Sequence, residues 1–354
     1  MTSVKHAHVV GLGLIGSSVA LALRGVGWRV SGTDHDPEVM KLACDAQIIS
    51  SETLDDVELV VIATPAGVVA EVARDFLSRL VRSDLIVTDV AGVKNAIVQD
   101  ISDPRFLGGH PMAGSELKGP QGAREDLFQG CTWVLTPTHD TPADVYTRLH
   151  GILRDVGAQV VAISSNDHDR LVALASHVPH LLAGALMNQA ADAAREDAVL
   201  LQLAAGGFRD MTRIAAGDPA IWPDILFENR EAISTSLRSL EERLAQLRTA
   251  VETRDRSTLT ASLTSASLAR RQLPGRALSS DEMTYLRVLI ADRPGSLARV
   301  TTTASDMLVN IFDIEIAHSL EGDRGTLLLA VDSRDAQRFI NALRDEDFDV
   351  VRER

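Results

Sequence analysis

The stretch 108–119, GGHPMAGSELKG, places a histidine among residues that disfavour both helices and strands. His110 follows two glycines and precedes Pro111. An imidazole with an ordinary pKa near 6.5 can take up a proton at neutral pH, so His110 is a candidate general base. The flanking glycines and proline predict a turn that holds this histidine at a strand end. A histidine bonded only to neighbouring backbone is the structural alternative.

A glycine-rich loop lies near the N-terminus, between a short apolar run and an apolar helical stretch. Its sequence, GLGLIG, has the G-x-G-x-x-G spacing that allows a tight turn and brings a helix N-terminus up to a pyrophosphate. The pattern therefore predicts a dinucleotide-binding site. Its residues are Gly11, Leu12, Gly13, Leu14, Ile15 and Gly16.

An acidic residue about 20 positions further on indicates which dinucleotide binds. Asp34 ends the second predicted strand, where its carboxylate can accept hydrogen bonds from the adenosine ribose. A carboxylate there would repel a 2′-phosphate, so the sequence favours NAD over NADP. Asp36 is the alternative candidate.

Polar residues also follow two further predicted strands. Thr64 and Pro65 come after the third, and Asp89 ends the fourth. Ligands of such sheets bind at the carboxyl ends of the strands. We therefore expect the nicotinamide near these three residues and near the turn over 109–115.

Two more polar clusters lie in the second half of the chain. His177 and His180 are three positions apart and could bind a metal, but no convincing third ligand accompanies them, and no metal site is predicted. Arg209 and Arg213 are four apart, which places them on one face of a predicted helix. They suggest a docking site for a carboxylate or phosphate, and salt bridges on an exposed helix face are the alternative.

Hydrophobic patterning divides the chain into three regions. Residues 1–165 alternate apolar runs with helical stretches, which predicts an α/β, Rossmann-type, mostly parallel sheet. Residues 166–273 are predicted to be helical, and 274–283 has the composition of a linker. Residues 284–354 follow the order βαββαβ of a small ferredoxin-like sandwich. The predicted strands of the first region are His8–Val10, Trp28–Gly32, Leu59–Ala63, Leu85–Thr88, Phe106–Gly109, Trp133–Thr136 and Gln159–Ile163.

A narrow apolar seam runs along one predicted helix of the middle region. Its spacing, alternating four and three, is that of a coiled coil and fits either packing within the domain or a subunit interface. The seam residues are Ile233, Leu237, Leu240, Leu244, Leu247 and Val251.

Composition excludes several classes of function. The net charge of −14 argues against a nucleic-acid-binding surface. No uninterrupted run of about 18 apolar residues is present, so no membrane span is predicted. Two cysteines, Cys44 and Cys131, fit a protein of the reducing cytoplasm without a disulfide framework.

Four motifs together resemble the prephenate/arogenate dehydrogenase family of tyrosine biosynthesis. They are GLGLIGSS, GGHPMAGSE, SHVPHLLAGAL and GGFRDMTRIAAGDPAIWPDI, and they extend from residue 6 to about 270. The tail, LRVLIADRPGSLARVTTTASDMLVNIFDIEI, resembles an ACT regulatory domain.

The resemblance implies roles for the candidate residues. His110 would bond the ring hydroxyl of prephenate or arogenate, with Ser115 and Glu116 as the polar pair beside the substrate and nicotinamide. His180 and Arg213 would come from the helical domain, and Arg209 lies where the family has a second basic group. It also implies NAD as cofactor, a homodimer formed through the helical domain, and an aromatic amino-acid effector, tyrosine above all, bound by the tail.

One position departs from the family. Where the family often has serine in an Asp-x-x-Ser-x-Lys stretch, this chain has Gly92, so a hydroxyl that would help His110 hold the substrate is absent.

Two other functions remain as alternatives. A β-hydroxyacid dehydrogenase typically uses a lysine of its helical domain, and residues 164–273 contain none. A non-catalytic sensor of NAD and an amino acid is the other, and the presence of His110, His180 and Arg213 argues against it.

Overall fold

The computed structural model of the chain describes residues 4–50, 54, 56–114, 117–197, 199–217, 219, 222–271, 283–291, 293, 295–318 and 324–352. Backbone contacts divide the chain into two units, Met1–Arg243 and Leu244–Arg354. The domain boundaries expected from the sequence stay predictions.

The first unit begins with a seven-stranded sheet, and each strand coincides with one of the seven predicted apolar runs. The strands are β1 His6–Val10, β2 Arg29–Thr33, β3 Val57–Ile62, β4 Ile86–Asp89, β5 Phe106–Pro111, β6 Thr132–Thr136 and β7 Gln159–Ala162. The intervening helices are α1 Leu14–Gly25, α2 Pro37–Asp45, α3 Ala66–Arg79, α4 Asn95–Asp100 and α5 Ala143–Asp155.

The sheet has the strand order β2-β1-β3-β4-β5-β6-β7. All neighbouring strands are parallel except β5 and β6, which confirms the mostly parallel sheet. The chain passes from β1 to one side of the sheet and then returns to the other side, so the switch point lies between β1 and β3. In open α/β sheets a ligand binds in the crevice at this point, beyond the carboxyl ends of the strands.

Helices follow the sheet in the same unit. They are α6 Ser165–Val172, α7 Val178–Ala194, α8 Val199–Gln202, α9 Gly206–Thr212, α10 Trp222–Glu228 and α11 Arg230–Glu252, the last of which extends into the second unit. A π-helical turn over Ala173–His177 joins α6 to α7, and the Val178 N–H donates to the Ala173 carbonyl. Pro179 explains this widened turn, because proline lacks an N–H and its ring clashes with the carbonyl four residues earlier.

The continuous helix Ser165–Ala194 is long and apolar enough, by length and composition alone, to cross a membrane. Polar residues interrupt its apolar sequence, so this helix was not predicted as a possible membrane span. A core helix of a soluble protein passes the same test. Here His168 and Asp169 are buried near its N-terminal end, where they belong to the polar site described below.

The second unit contains the rest of α11, helix α12 Arg256–Arg271 and a four-stranded antiparallel sheet with the order β11-β8-β10-β9. These strands and their helices occur in the predicted order βαββαβ. Their bounds are β8 Met283–Ala291, α13 Ser296–Asp306, β9 Ile311–His318, β10 Arg324–Asp332, α14 Ser333–Asp345 and β11 Asp349–Arg352. Apolar side chains of both helices pack on this sheet and form its core.

Candidate active site

The glycine loop between β1 and α1 is shaped by close backbone contacts. Gly11 has φ +87°, and a Cβ added to it would lie 2.5 Å from the Ala63 carbonyl oxygen. A Cβ on Gly16 would lie 1.9 Å from the Gly11 oxygen. Nothing lies within 4 Å of the corresponding position on Gly13, so its backbone is open to a ligand. These contacts fit a pyrophosphate at the N-terminus of α1.

Asp34 closes the loop from the side of β2. Its carboxylate accepts hydrogen bonds from the Leu12 N–H at 2.7 Å and the Asp36 N–H at 2.9 Å. The Asp36 side chain instead caps α2 by accepting from the Glu38 N–H at 2.8 Å. The position of Asp34 beside the loop fits the predicted ribose contact, whereas Asp36 caps a helix.

A solvent-open cleft of about 1750 Å³ brings the predicted clusters together. The glycine loop contributes Gly13–Gly16, and the segment after β5 contributes Ala113 and Gly114. His180 and Arg213 line the same cleft from the helical region. The cleft thus joins a dinucleotide loop to a cationic side chain of the helices.

His180 is held in this cleft by an aromatic contact. Its ring stacks on that of Trp222, with centroids 3.6 Å apart and planes 15° apart. Burial lowers the pKa of His180, which favours the neutral imidazole. His177 is directed elsewhere, because its Nδ1 lies 3.2 Å from the Asn229 side-chain nitrogen.

His110 lies within a strand, which corrects the prediction of a turn. β5 continues to Pro111, and His110 pairs with Val134 of β6. The preceding glycine serves close packing, since a Cβ on Gly109 would lie 2.7 Å from the Asp89 carbonyl oxygen. The pairing with β6 provides the backbone hydrogen bonds that a turn would have lacked.

A buried chain of hydrogen bonds extends from His110. Its Nδ1 lies 2.8 Å from Nε2 of His168, and Nδ1 of His168 lies 2.7 Å from Oδ1 of Asp169. Burial above all, followed by electrostatic interactions with His168, Lys94 and His177, places the pKa of His110 well below its ordinary value of 6.5. The imidazole is therefore neutral at physiological pH and available as a base.

Asp89 and Lys94 form a fully buried ion pair behind the histidine. Asp89 also accepts from the Gly109 N–H at 3.1 Å and the Ala91 N–H at 3.0 Å. Burial lowers the pKa of Lys94, and its contact with Asp89 opposes this shift. These contacts tie β4, β5 and the start of α4 together, so Asp89 has a structural role beside the site.

The remaining predicted cofactor contacts lie at the end of β3. Ala63 lines the cleft, and Thr64 follows it with a buried hydroxyl that has no hydrogen-bond partner among the described residues. Such a group fits a ligand that completes its hydrogen bonding. Pro65 begins α3. Ser115 and Glu116 lie outside the described residues.

The two arginines occupy different surroundings. α9 ends at Thr212, and Arg213 begins a 3-10 turn over Arg213–Ala216, so the expected continuous helix face is absent here. Arg213 lines the cleft, whereas the exposed Arg209 is outside its lining. Arg209 and Arg213 therefore lie in different helical elements, Arg209 in α9 and Arg213 in the 3-10 turn.

Comparison with known proteins places this geometry in a family. The family model "Prephenate dehydrogenase, nucleotide-binding domain" matches residues 19–162, and "Prephenate dehydrogenase, dimerization domain" matches residues 164–265. The chain belongs to the prephenate dehydrogenase family. It is 31% identical over 345 residues to the prephenate dehydrogenase of Bacillus subtilis, covering 93% of both chains.

Solved structures of this family have the same fold. The A. aeolicus prephenate dehydrogenase, in complex with hydroxyphenyl propionate and NAD+, has a TM-score of 0.70 and 32% identity, over 76% of this chain and 98% of that one. The Synechocystis arogenate dehydrogenase has a TM-score of 0.65 and 31% identity, over 75% and 98%. This member of the family is an NAD-dependent dehydrogenase, as its glycine loop and Asp34 predicted.

The residues behind His110 in this dehydrogenase were not predicted from the sequence. His168 and Asp169 lie in the motif NDHDRLV, immediately before the histidines that were considered. Lys94 belongs to the DVAGVK stretch, in which only Asp89 and Gly92 were considered. An adjacent histidine and aspartate immediately before an apolar helical stretch were the available signal.

Proposed function

We propose that this enzyme converts prephenate to 4-hydroxyphenylpyruvate and CO2, with His110 as the base. The supporting observation is the cleft, in which the dinucleotide loop, the segment after His110, His180 and Arg213 meet. NAD+, when bound, accepts a hydride from the carbinol carbon of the substrate. The glycine loop and Asp34 would hold it, and the Thr64 hydroxyl would find a partner.

We assign to His110 the transfer of the hydroxyl proton, which leaves the substrate oxygen and later returns to the product oxygen. Its Nε2 takes the proton of the ring hydroxyl while the C–H electron pair leaves as hydride. The ring carboxylate departs as CO2, the ring becomes aromatic, and the oxygen regains the proton from His110. Reactants and products then balance without net proton release.

Arg213 and His180 would bind the anionic groups of the substrate. Prephenate carries two carboxylates, and a guanidinium can bind one through two parallel hydrogen bonds. Neutral His180 can donate one hydrogen bond to the same end of the ligand. Arg209, Ser115 and Glu116 stay candidates from the family resemblance.

The test is the rate of NADH formation with prephenate and with arogenate, measured side by side. We expect turnover with prephenate at the higher kcat/KM. A preference for arogenate would identify the alternative family activity, in which tyrosine forms directly. Absence of turnover with either compound, combined with tyrosine binding, would favour the non-catalytic sensor.

His110→Asn tests the base in the same assay. We expect kcat to fall by about 10²- to 10⁴-fold, the usual contribution of general-base catalysis, with little change in KM. Full activity of this variant would exclude His110 from its assigned role.

We also propose that the C-terminal βαββαβ region is an ACT domain that binds an aromatic amino acid, tyrosine above all. Supporting this, Gly295 has φ +94° and precedes α13, whose first N–H groups suit a carboxylate. Calorimetry on the full chain with tyrosine and phenylalanine tests the proposal. Absence of binding, with kinetics indifferent to both, would leave this region with a role in assembly alone.

Cytoplasmic localisation and a homodimer complete the proposed function. The match to a dimerization domain and the exposed apolar side chains of the helical region support the dimer. Cell fractionation would test the localisation, and recovery with membranes would contradict it.

A further inference from the structure

In the row of hydrogen bonds from His110 through His168 to Asp169, the carboxylate of Asp169 decides which atom donates in each bond. A carboxylate only accepts hydrogen bonds, so the proton between Asp169 and His168 must lie on Nδ1 of His168. Neutral His168 then has its lone pair on Nε2 and can only accept from Nδ1–H of His110. His110 is thereby left with a lone pair on Nε2, the nitrogen that the proposed reaction requires.

Hydrogen bonds from the backbone hold Asp169 in the position from which it determines these donor and acceptor roles. Its Oδ1 accepts from the Lys94 N–H and its Oδ2 from the Asn95 N–H, both at 2.8 Å. The Asn229 side chain donates to the Asp169 carbonyl oxygen, also at 2.8 Å. The segment Lys94–Asn95 therefore fixes the carboxylate, and Asn229 fixes the backbone of the same residue.

The buried charged groups around His110 carry a net negative charge, which favours a proton on His110. Lys94 supplies one positive charge, and Asp89 and Asp169 supply two negative ones. Among the described residues, His168 and His177 are the other titratable groups that act on the ring. One proton on His110 would bring this buried group from a net negative charge to neutrality, which lowers the cost of forming an imidazolium away from water.

We propose that His168 and Asp169 are positioning residues that fix the proton-accepting tautomer of His110 and stabilise its imidazolium form. This inference rests on the proposed function, since it concerns the same base. His168 shares the proton on Nδ1 of His110 while Nε2 holds the substrate proton. When the product oxygen takes that proton back, His110 is neutral again and its hydrogen bond to His168 is as before.

Three variants separate positioning from simple packing. His168→Phe removes the acceptor for Nδ1–H, and we expect kcat to fall by about 100-fold with unchanged NAD affinity. His168→Gln can retain an acceptor oxygen, so we expect a smaller loss. Asp169→Asn keeps the shape but loses the charge, and we expect a loss comparable to that of His168→Phe.

His8→Gln is the matched control. His8 is also a fully buried histidine of the first unit, and its ring nitrogens bond to the hydroxyls of Ser31 and Thr33. We expect its kcat at pH 7.5 to equal that of the wild type. His168→Phe with kcat within threefold of the wild type would overturn the proposal. So would equal losses in all three variants together with weakened NAD binding, which a packing defect would cause.

The pH dependence provides a readout that packing alone would not change. The Asp169 carboxylate favours the imidazolium, so its removal lowers the pKa of His110 further. In Asp169→Asn the acid limb of kcat/KM should therefore move to lower pH, while the plateau falls because the base is weaker. An unchanged acid limb would count against stabilisation of the imidazolium.

Nitrogen NMR of histidine-labelled enzyme tests the tautomers without turnover. We expect the wild type to carry the proton of both His110 and His168 on Nδ1, and Asp169→Asn to lose this preference at His168. A wild-type His110 with its proton on Nε2 would overturn the proposal. If the wild type shows these tautomers but oxidises neither prephenate nor arogenate, the positioning role stands and the proposed function fails.

Discussion

Gly92 lies directly against the base, since a Cβ built on it would be 3.8 Å from Nε2 of His110. That distance is ordinary van der Waals contact, and Gly92 does not have a positive φ. The position can therefore accept a side chain. A serine here would bring its hydroxyl towards Nε2 of His110, the nitrogen that the proposed reaction uses.

Gly92→Ser should strengthen substrate binding. A hydroxyl on the added Cβ can reach the substrate oxygen held by His110, and one such hydrogen bond contributes about 0.5–1.5 kcal/mol. We expect KM to fall by about 2- to 10-fold. Gly92→Ala adds the carbon without the hydroxyl and should give no gain. An equal gain in both variants would assign the effect to packing.

Arg213→Ala should raise KM far more than Arg209→Ala. Arg213 lines the cleft, and a charge-assisted hydrogen bond to a carboxylate contributes about 1.5–3 kcal/mol, or about 10- to 150-fold in KM. Arg209 is outside the lining, so its loss should change KM by less than about threefold. Steady-state kinetics with varied prephenate would measure both. The reverse order would show that the substrate lies closer to Arg209 than to Arg213.

The sheet was predictable because its pattern is local. Each strand is a short apolar run between helical stretches, so the signal lies within a few neighbouring residues. The end of β5 was not predicted. Gly108 and Gly109 have the composition of a turn, and only the pairing of His110 with Val134 shows that the strand continues.

The hydrogen bonds from His110 to His168 and Asp169 could not be predicted, because they join residues far apart in the sequence. His168 meets His110 across 58 positions, and Asp169 meets the Lys94 backbone across 75. A histidine followed by an aspartate in a helix does not reveal its contacts from the sequence alone. The contacts depend on how the sheet packs against the helical region. His180 and Arg213 were singled out by their spacing, and the family motifs then assigned roles to them.

Asp34→Ser should erode the preference for NAD over NADP. The carboxylate would repel a 2′-phosphate, and serine removes that charge while it can still accept from the Leu12 N–H. The measurement is the ratio of kcat/KM for NAD to that for NADP. Asp36→Ser is the matched control, because serine also caps helices and should leave the ratio unchanged. A wild type that prefers NADP would contradict the role of Asp34.

His8→Gln should reduce the loss of stability in acid. Burial above all, followed by His6 and Arg79, lowers the pKa of His8 to about 4, so the unfolded chain binds the proton first. Stability contributed by neutral His8 is thus complete above pH 6.5 and is lost as the pH falls from about 6.5 to about 4.

From this shift, wild type should lose about 2 kcal/mol more than His8→Gln between pH 7.5 and 5. Urea unfolding at the two pH values measures the difference. His139→Gln alters a fully exposed side chain and should behave as wild type. Equal losses in His8→Gln and wild type would show that His8 titrates normally in the folded protein.

Leu244→Glu combined with Val251→Glu should convert the proposed dimer into monomers. Both side chains continue the apolar seam of α11 and are exposed, by 52% and 63%, whereas Ile233 near the start of the helix is buried. Charges on the seam would have to be desolvated in a subunit interface. Sedimentation equilibrium measures the change, and Glu242→Gln, on an exposed polar position, should remain dimeric. A monomeric wild type would reject the dimer, and a dimeric double variant would move its interface away from this seam.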